Sequence, residues 1–135
     1  MIISMNWIKD YVDLSGIDMD WLLNQLILKT AEVEAIYHPG AGIQNVVVGK
    51  ILHMEVHPHA QHLHIIQVDT GDGIVQSVCG APNIHTGMRI PFAKPGGKIM
   101  GVERVEAQEI HGVLSHGIAC SERELGISDD HSGVV

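Results

Sequence analysis

Aromatic residues are scarce in this 135-residue chain: one Phe, two Tyr and two Trp, 4% of the sequence. Bases are scarce too. Eight Lys and Arg stand against sixteen Asp and Glu, a formal net charge of −8. That balance by itself argues against an ordinary nucleic-acid binder, which carries a basic surface. Only Cys79 and Cys120 are present, far apart and in no CxxC pattern. Two buried thiols in a reducing cytoplasm fit that usage. No run of about 18 apolar residues exists, so no membrane span is expected. The opening MIISMNWIKDYVDL lacks the basic-then-apolar pattern and the cleavage site of a signal peptide. GxSxG, P-loop and GxGxxG motifs are all missing, which removes the common hydrolase and nucleotide-binding signatures.

What is there suits a folded protein. Hydrophobic residues make up 45% of the chain, too many for a disordered segment. The length holds one ordinary domain or two small ones. Charge is unevenly spread. Residues 1–38 carry two bases and six acids, and residues 121–135 one base and four acids. Residues 39–120 are nearly balanced, with five bases and six acids, and hold eight of the ten histidines.

The first region reads as helical. Ser4 is placed to cap a short helix with Trp7, Ile8, Tyr11 and Val12 at helical spacing, and Asp18 to cap a second with Trp21, Leu22 and Leu26. AEVEAIYH alternates at Val33, Ala35 and Tyr37, which predicts a strand. Pro39-Gly40-Ala41-Gly42 marks a boundary. The second region reads as all-β. NVVVGKILHMEVH is a long β-branched run interrupted at Gly49, a bulge or barrel bend. LHIIQVDTG and IVQSVCG form a hairpin across residues 70–73. MRIPFAKPGG predicts a further strand, at an edge or irregular because of Pro91. ERVEAQEIHG and HGIACS complete the set. Such strands with Gly-rich turns suggest a small closed or partly closed barrel. Ser121 and Glu124 have capping-box spacing, with Gly126 as the stop of one helical turn. The chain runs out in what reads as the start of a strand, as a piece of a longer protein would.

Four histidines crowd HPHAQHLH, residues 57–64. Imidazole is a common ligand for zinc and copper, and His57 with His59, or His62 with His64, share strand faces. Pro58 disturbs that geometry, and no nearby carboxylate or thiol completes a familiar metal set. Cys79 and Cys120 sit in apolar segments, where a thiol is more often packed than nucleophilic. A small barrel is also a scaffold for single-stranded RNA, by cations and stacking. Phe92 is the only Phe, Tyr or Trp of the barrel region, so stacking falls to histidine. Lys50, Arg89, Lys94, Lys98 and Arg104 are its cations.

Three stretches are specific. VVVGKILHMEVHPHAQHLHIIQVDTG, SVCGAPNIHTGMRIPFAKPGG and HGVLSHGIACSERELGISDDHSGVV resemble the N-terminal part of the β subunit of bacterial phenylalanyl-tRNA synthetase. NWIKDYVDL and KTAEVEAI match its opening segment. The resemblance implies an α+β fold: a five-stranded OB-fold tRNA-binding barrel over residues 39–120, inserted after an incomplete α/β segment over residues 1–38. Residues 121–135 would return toward that first domain. It implies tRNA, the catalytic α subunit and the rest of the β subunit as partners, a cytoplasmic location, and neither membrane nor DNA. ATP and Mg would serve the full ligase, whose active site lies outside this chain, so no catalytic, metal or cofactor residue is expected here.

The resemblance also places Ser115, Gly117 and Ile118 in a turn that faces tRNA in related free-standing modules. Lys50, His62, Arg89, Lys94, Lys98 and His111 are the candidate surface cations, reaching phosphate and sugar rather than base edges. His62 and His111 stand where the family more often has a base, and Ile118 where it more often has Met. These replacements thin the cationic surface. They predict an affinity that rises as pH falls through about 6.5, the ordinary imidazole value, and falls with salt. Two other readings stand beside this one: a scaffold for subunit assembly with little tRNA contact, and a histidine-rich metal binder.

Overall fold

Ser4 and Asp18 hold extended backbone, and their side-chain oxygens accept the N–H groups of Trp7 (3.5 Å) and Trp21 (2.8 Å). Each satisfies a donor that the start of a helix leaves without an internal partner. They begin α1 (Met5–Ile8) and α2 (Met19–Lys29) in the computed structural model, which describes residues 2–135. The chain divides into two units, Met1–His38 and Pro39–Val135. The strand expected over AEVEAIYH does not form. Alternation makes a strand only where a neighbour takes up its backbone hydrogen bonds, and among the described residues none pairs with this segment.

The second unit is mostly antiparallel sheet. Its strands are β1 (Gln44–His57), β2 (Ala60–Asp69), β3 (Ile74–Cys79), β4 (Arg89–Lys98), β5 (Ala107–Ile110), β6 (Val113–His116) and β7 (Ile118–Ala119). Five of them form one sheet in the order β3-β2-β1-β4-β7, and β5 and β6 form a separate hairpin. The β2–β3 hairpin turns at residues 70–73 as its sequence predicts, with the Thr70 hydroxyl bonded to Asp72 and to the Gly73 carbonyl. The stretch 103–112 contracts to β5, and β6 is a strand the pattern did not separate. Ile110 pairs with Val113 across His111 (φ 47°) and Gly112 (φ 84°). Two positive φ values suit the twist of a two-residue hairpin.

Pro91 does not mark an edge strand. β4 lies between β1 and β7. Toward β7 the Pro91 carbonyl accepts the Cys120 N–H at 2.9 Å, and the Cys120 carbonyl accepts the N–H of Val135 at 3.3 Å. Val135 thus provides the donor that proline lacks. The capping pair at residues 121 and 124 forms, with Glu124 Oε2 accepting the Ser121 N–H at 2.6 Å. It closes a single turn, and Gly126 (φ +68°) ends it.

One face of the sheet buries Ile51, Ile66, Val68, Ile90 and Phe92. Burying each such side chain contributes about 1.5–3 kcal/mol. Gly49 lies where a Cβ would come within 2.5 Å of Val68 Cγ1, so close packing onto β2 requires glycine there, while the pairing with β4 runs through it without the expected bulge. A second cluster, Ala93, Ile99, Val105 and Cys120, is packed by Val46, Ile118 and Leu125.

Candidate nucleic-acid interface

The cations sort by their partners. Lys94 reaches from β4 to the β2–β3 turn and meets Asp72 at 2.7 Å. Lys94 and then Thr70, both bonded to Asp72, hold its carboxyl below the usual range. Lys98 meets Glu103 at 2.7 Å, and Arg104 lies 3.7 Å from Glu106. Lys50 and Arg89 differ. They lie directly opposite one another on β1 and β4, both are exposed, and neither has an ion-pair partner among the described residues. The structure brings these two sequence-predicted residues together across 39 residues of chain. It leaves Lys94 and Lys98 beside carboxylates.

The histidines divide similarly. His57 is buried, with 1% of its surface exposed. Its Nδ1 accepts the His59 N–H at 3.1 Å, so the proton sits on Nε2, which donates to the Ile110 carbonyl at 3.0 Å. This neutral ring ties the β1–β2 turn to the β5–β6 turn and has no nitrogen left for a metal. His59 and His111 flank it edge-on, with ring centroids 6.2 and 6.0 Å away. Among the described residues no group of three His, Cys, Asp or Glu side chains is placed to hold a metal ion. His62 is exposed on β2, and His111 is exposed at its hairpin turn.

The turn at Ser115, Gly117 and Ile118 is built into the fold. Ser115 and Gly117 are buried and Ile118 is half-buried. The Val78 N–H donates to Ser115 Oγ at 3.0 Å, and Ser77 donates to the Gly117 carbonyl at 3.0 Å. Side-chain hydroxyls thereby join β3 to β6 and β7 where no backbone ladder does. Gly117 has φ +109°, and a Cβ there would come within 2.7 Å of the Phe92 ring. Sequence reasoning missed this internal role, because only the fold reveals that Ser77 and Ser115 meet.

The three turn residues do line a groove of about 390 Å³, together with Cys79, Glu106, Glu124 and His131. No Lys or Arg is among the described residues along it, so its charge does not favour phosphate. Burial pushes the Cys79 thiol up, and the Cys120 thiol up to about 11. Such thiols are neutral and inert at ordinary pH.

Comparison with known proteins matches residues 46–135 to the family profile described as "Putative tRNA binding domain". Across its whole length the chain is 41% identical to the phenylalanine–tRNA ligase β subunit of Syntrophus aciditrophicus and 40% identical to that of Chlorobaculum tepidum, spanning 17% of each. It is 38% identical to the β subunit of Symbiobacterium thermophilum and spans 15% of it. The chain thus corresponds to less than a fifth of the curated relatives it matches.

Proposed function

The chain belongs to the tRNA-binding-domain family, and from that membership we propose that it is a non-catalytic tRNA-binding region within a phenylalanyl-tRNA synthetase β subunit. The observation that carries this reading is the family match over residues 46–135 together with similarity to β subunits along the entire chain. The antiparallel sheet of the second unit is consistent with an OB-type barrel, closed on one side by the Ser77 and Ser115 hydroxyls. In this reading the ligase chemistry, with ATP and Mg, belongs to other parts of the synthetase. Its α subunit and the remainder of the β subunit are partners, and the cytoplasm is its compartment. Exposed cations and imidazoles would meet tRNA phosphate and sugar, which position the RNA without reading its sequence.

Deleting residues 46–135 from the synthetase and measuring its tRNA affinity tests this role. The expected result is weaker, less salt-sensitive binding with the amino-acid activation step intact. Unchanged tRNA affinity would overturn it.

One observation favours a scaffold role beside it. No described residue of α1 or α2 is buried, while Trp7, Tyr11, Trp21 and Tyr37 are all more than half exposed. Aromatic surface of this extent seeks a partner. In this second reading residues 1–38 are one part of a larger α/β domain of the synthetase.

A further inference from the structure

β1 and β4 place four side chains in a two-by-two array. Val48 lies opposite Pro91, and one step further along the same face Lys50 lies opposite Arg89. Alternation puts Val48 and Lys50 on one face of β1, and Arg89 and Pro91 on the same face of β4. The other face sends Ile51, Ile90 and Phe92 into the core.

Two features of this array are costly in the free protein. Like charges directly opposite on an antiparallel pair repel, and among the described residues neither cation is relieved by an ion pair. Asp69 is the neighbour of Lys50 on its other side, but its Oδ1 accepts the Gly71 N–H at 2.9 Å and it stays outside ion-pair distance of Lys50. Beside the cations, Val48 is 73% exposed. A nucleotide strand answers both features. Its phosphate is anionic, and the adjoining sugar and base present apolar faces.

We propose that Val48, Lys50, Arg89 and Pro91 form a nucleotide-contact patch on this domain. The cation pair holds a phosphodiester of an RNA strand, and the Val48–Pro91 pair packs against the neighbouring ribose or base. This rests on the tRNA-binding reading and goes further by naming the surface. Lys94 and Lys98, equally basic in sequence, contribute little because Asp72 and Glu103 already neutralise them. The acidic-flanked groove at Glu106 and Glu124 is not the phosphate site.

The test is binding of the full chain to tRNA across a salt series, comparing wild type, K50Q/R89Q, K94Q/K98Q and Val48→Ser. K50Q/R89Q should weaken binding roughly tenfold near physiological salt, because each phosphate contact adds to the counterion release. Its salt slope should fall by about one unit for each cation removed. Val48→Ser should weaken binding with the slope unchanged. K50Q/R89Q should melt no lower than wild type, since only a repulsion is removed. Equal loss in K94Q/K98Q, or an unchanged slope in K50Q/R89Q while wild type binds, would overturn the patch and leave the tRNA-binding reading standing. Absence of wild-type binding at every salt would overturn both. Binding of an acidic polypeptide in preference to tRNA at the same residues would replace RNA as the occupant and overturn the proposal.

Discussion

Asn83 holds Val134 by both of its backbone polar groups, 51 residues further along the chain. The carboxamide nitrogen donates to the Val134 carbonyl at 2.7 Å, and the carboxamide oxygen accepts the Val134 N–H at 2.9 Å. The side chain thus acts as a short piece of partner strand. It seats Val134 in the core beside Cys79 and Ile84, and it keeps Val135 in reach of the Cys120 carbonyl that Pro91 cannot serve. Removing the carboxamide leaves two backbone groups at a buried residue without partners, each costing about 1–3 kcal/mol. Asn83→Ala should destabilise the domain by roughly 2–6 kcal/mol, read by denaturant unfolding. Asn83→Asp keeps the acceptor, loses the donor and should fall between. A loss within error of zero would show that this contact is dispensable.

Gly117 should tolerate no side chain. Its φ of +109° lies where L residues are strained, and a Cβ would meet the Ala93 carbonyl at 2.6 Å as well as the Phe92 ring. Neither obstacle is a flexible side-chain end. Gly117→Ala should lower the melting temperature far more than Gly71→Ala, where a positive φ of +88° meets open space. Equal effects at the two positions would mean that the contact with Phe92 is not limiting.

The thiols supply a pH-dependent test. With Cys120 pushed up to about 11 by burial, the folded protein keeps this proton in a range where the unfolded chain has lost it. The stability this contributes is fully present below about 9, the ordinary value, and is lost as pH rises through about 11. Cys79 shifts in the same direction, also by burial. Ellman's reagent at pH 8 should therefore react slowly with native protein and rapidly with two thiols per chain after unfolding. Rapid labelling of the native protein would contradict the burial of both.

His62 offers a gain-of-function test. It is exposed on β2, where a permanent charge can be added without disturbing packing. His62→Lys should raise tRNA affinity about threefold at neutral pH, the worth of one phosphate contact. Unchanged affinity would place His62 away from the RNA.

Much of the fold was legible because its signals are local. Ser4 and Asp18 cap helices through their own first turns, and the β2–β3 hairpin follows from Gly-rich residues 70–73 between two alternating runs. The misread elements depend on distant chain. Val33, Ala35 and Tyr37 alternate without a partner strand among the described residues. Of the two readings of Pro91, an edge or an irregular strand, the edge fails because Val135 supplies a donor from 44 residues away, while the β1–β4 register does shift between Ala93 and Lys98. The candidate site was legible as a composition and illegible as a surface. Sequence could name Lys50, Arg89, Lys94 and Lys98 but not their partners. Those come from cross-strand register, which pairs Lys50 with Arg89, and from the turn that brings Asp72 to Lys94. Likewise the spacing of HPHAQHLH already argues against a metal set, but only the fold shows that His57 is buried with both its ring nitrogens bonded.

The most direct measurement is a backbone amide NMR titration of the full chain with tRNA. Shifts concentrated at Val48, Lys50, Arg89 and their strand neighbours, with Cys79, Glu124 and His131 unmoved, are the expected result. Shifts confined to the groove, with none along the β1–β4 pair, would contradict it.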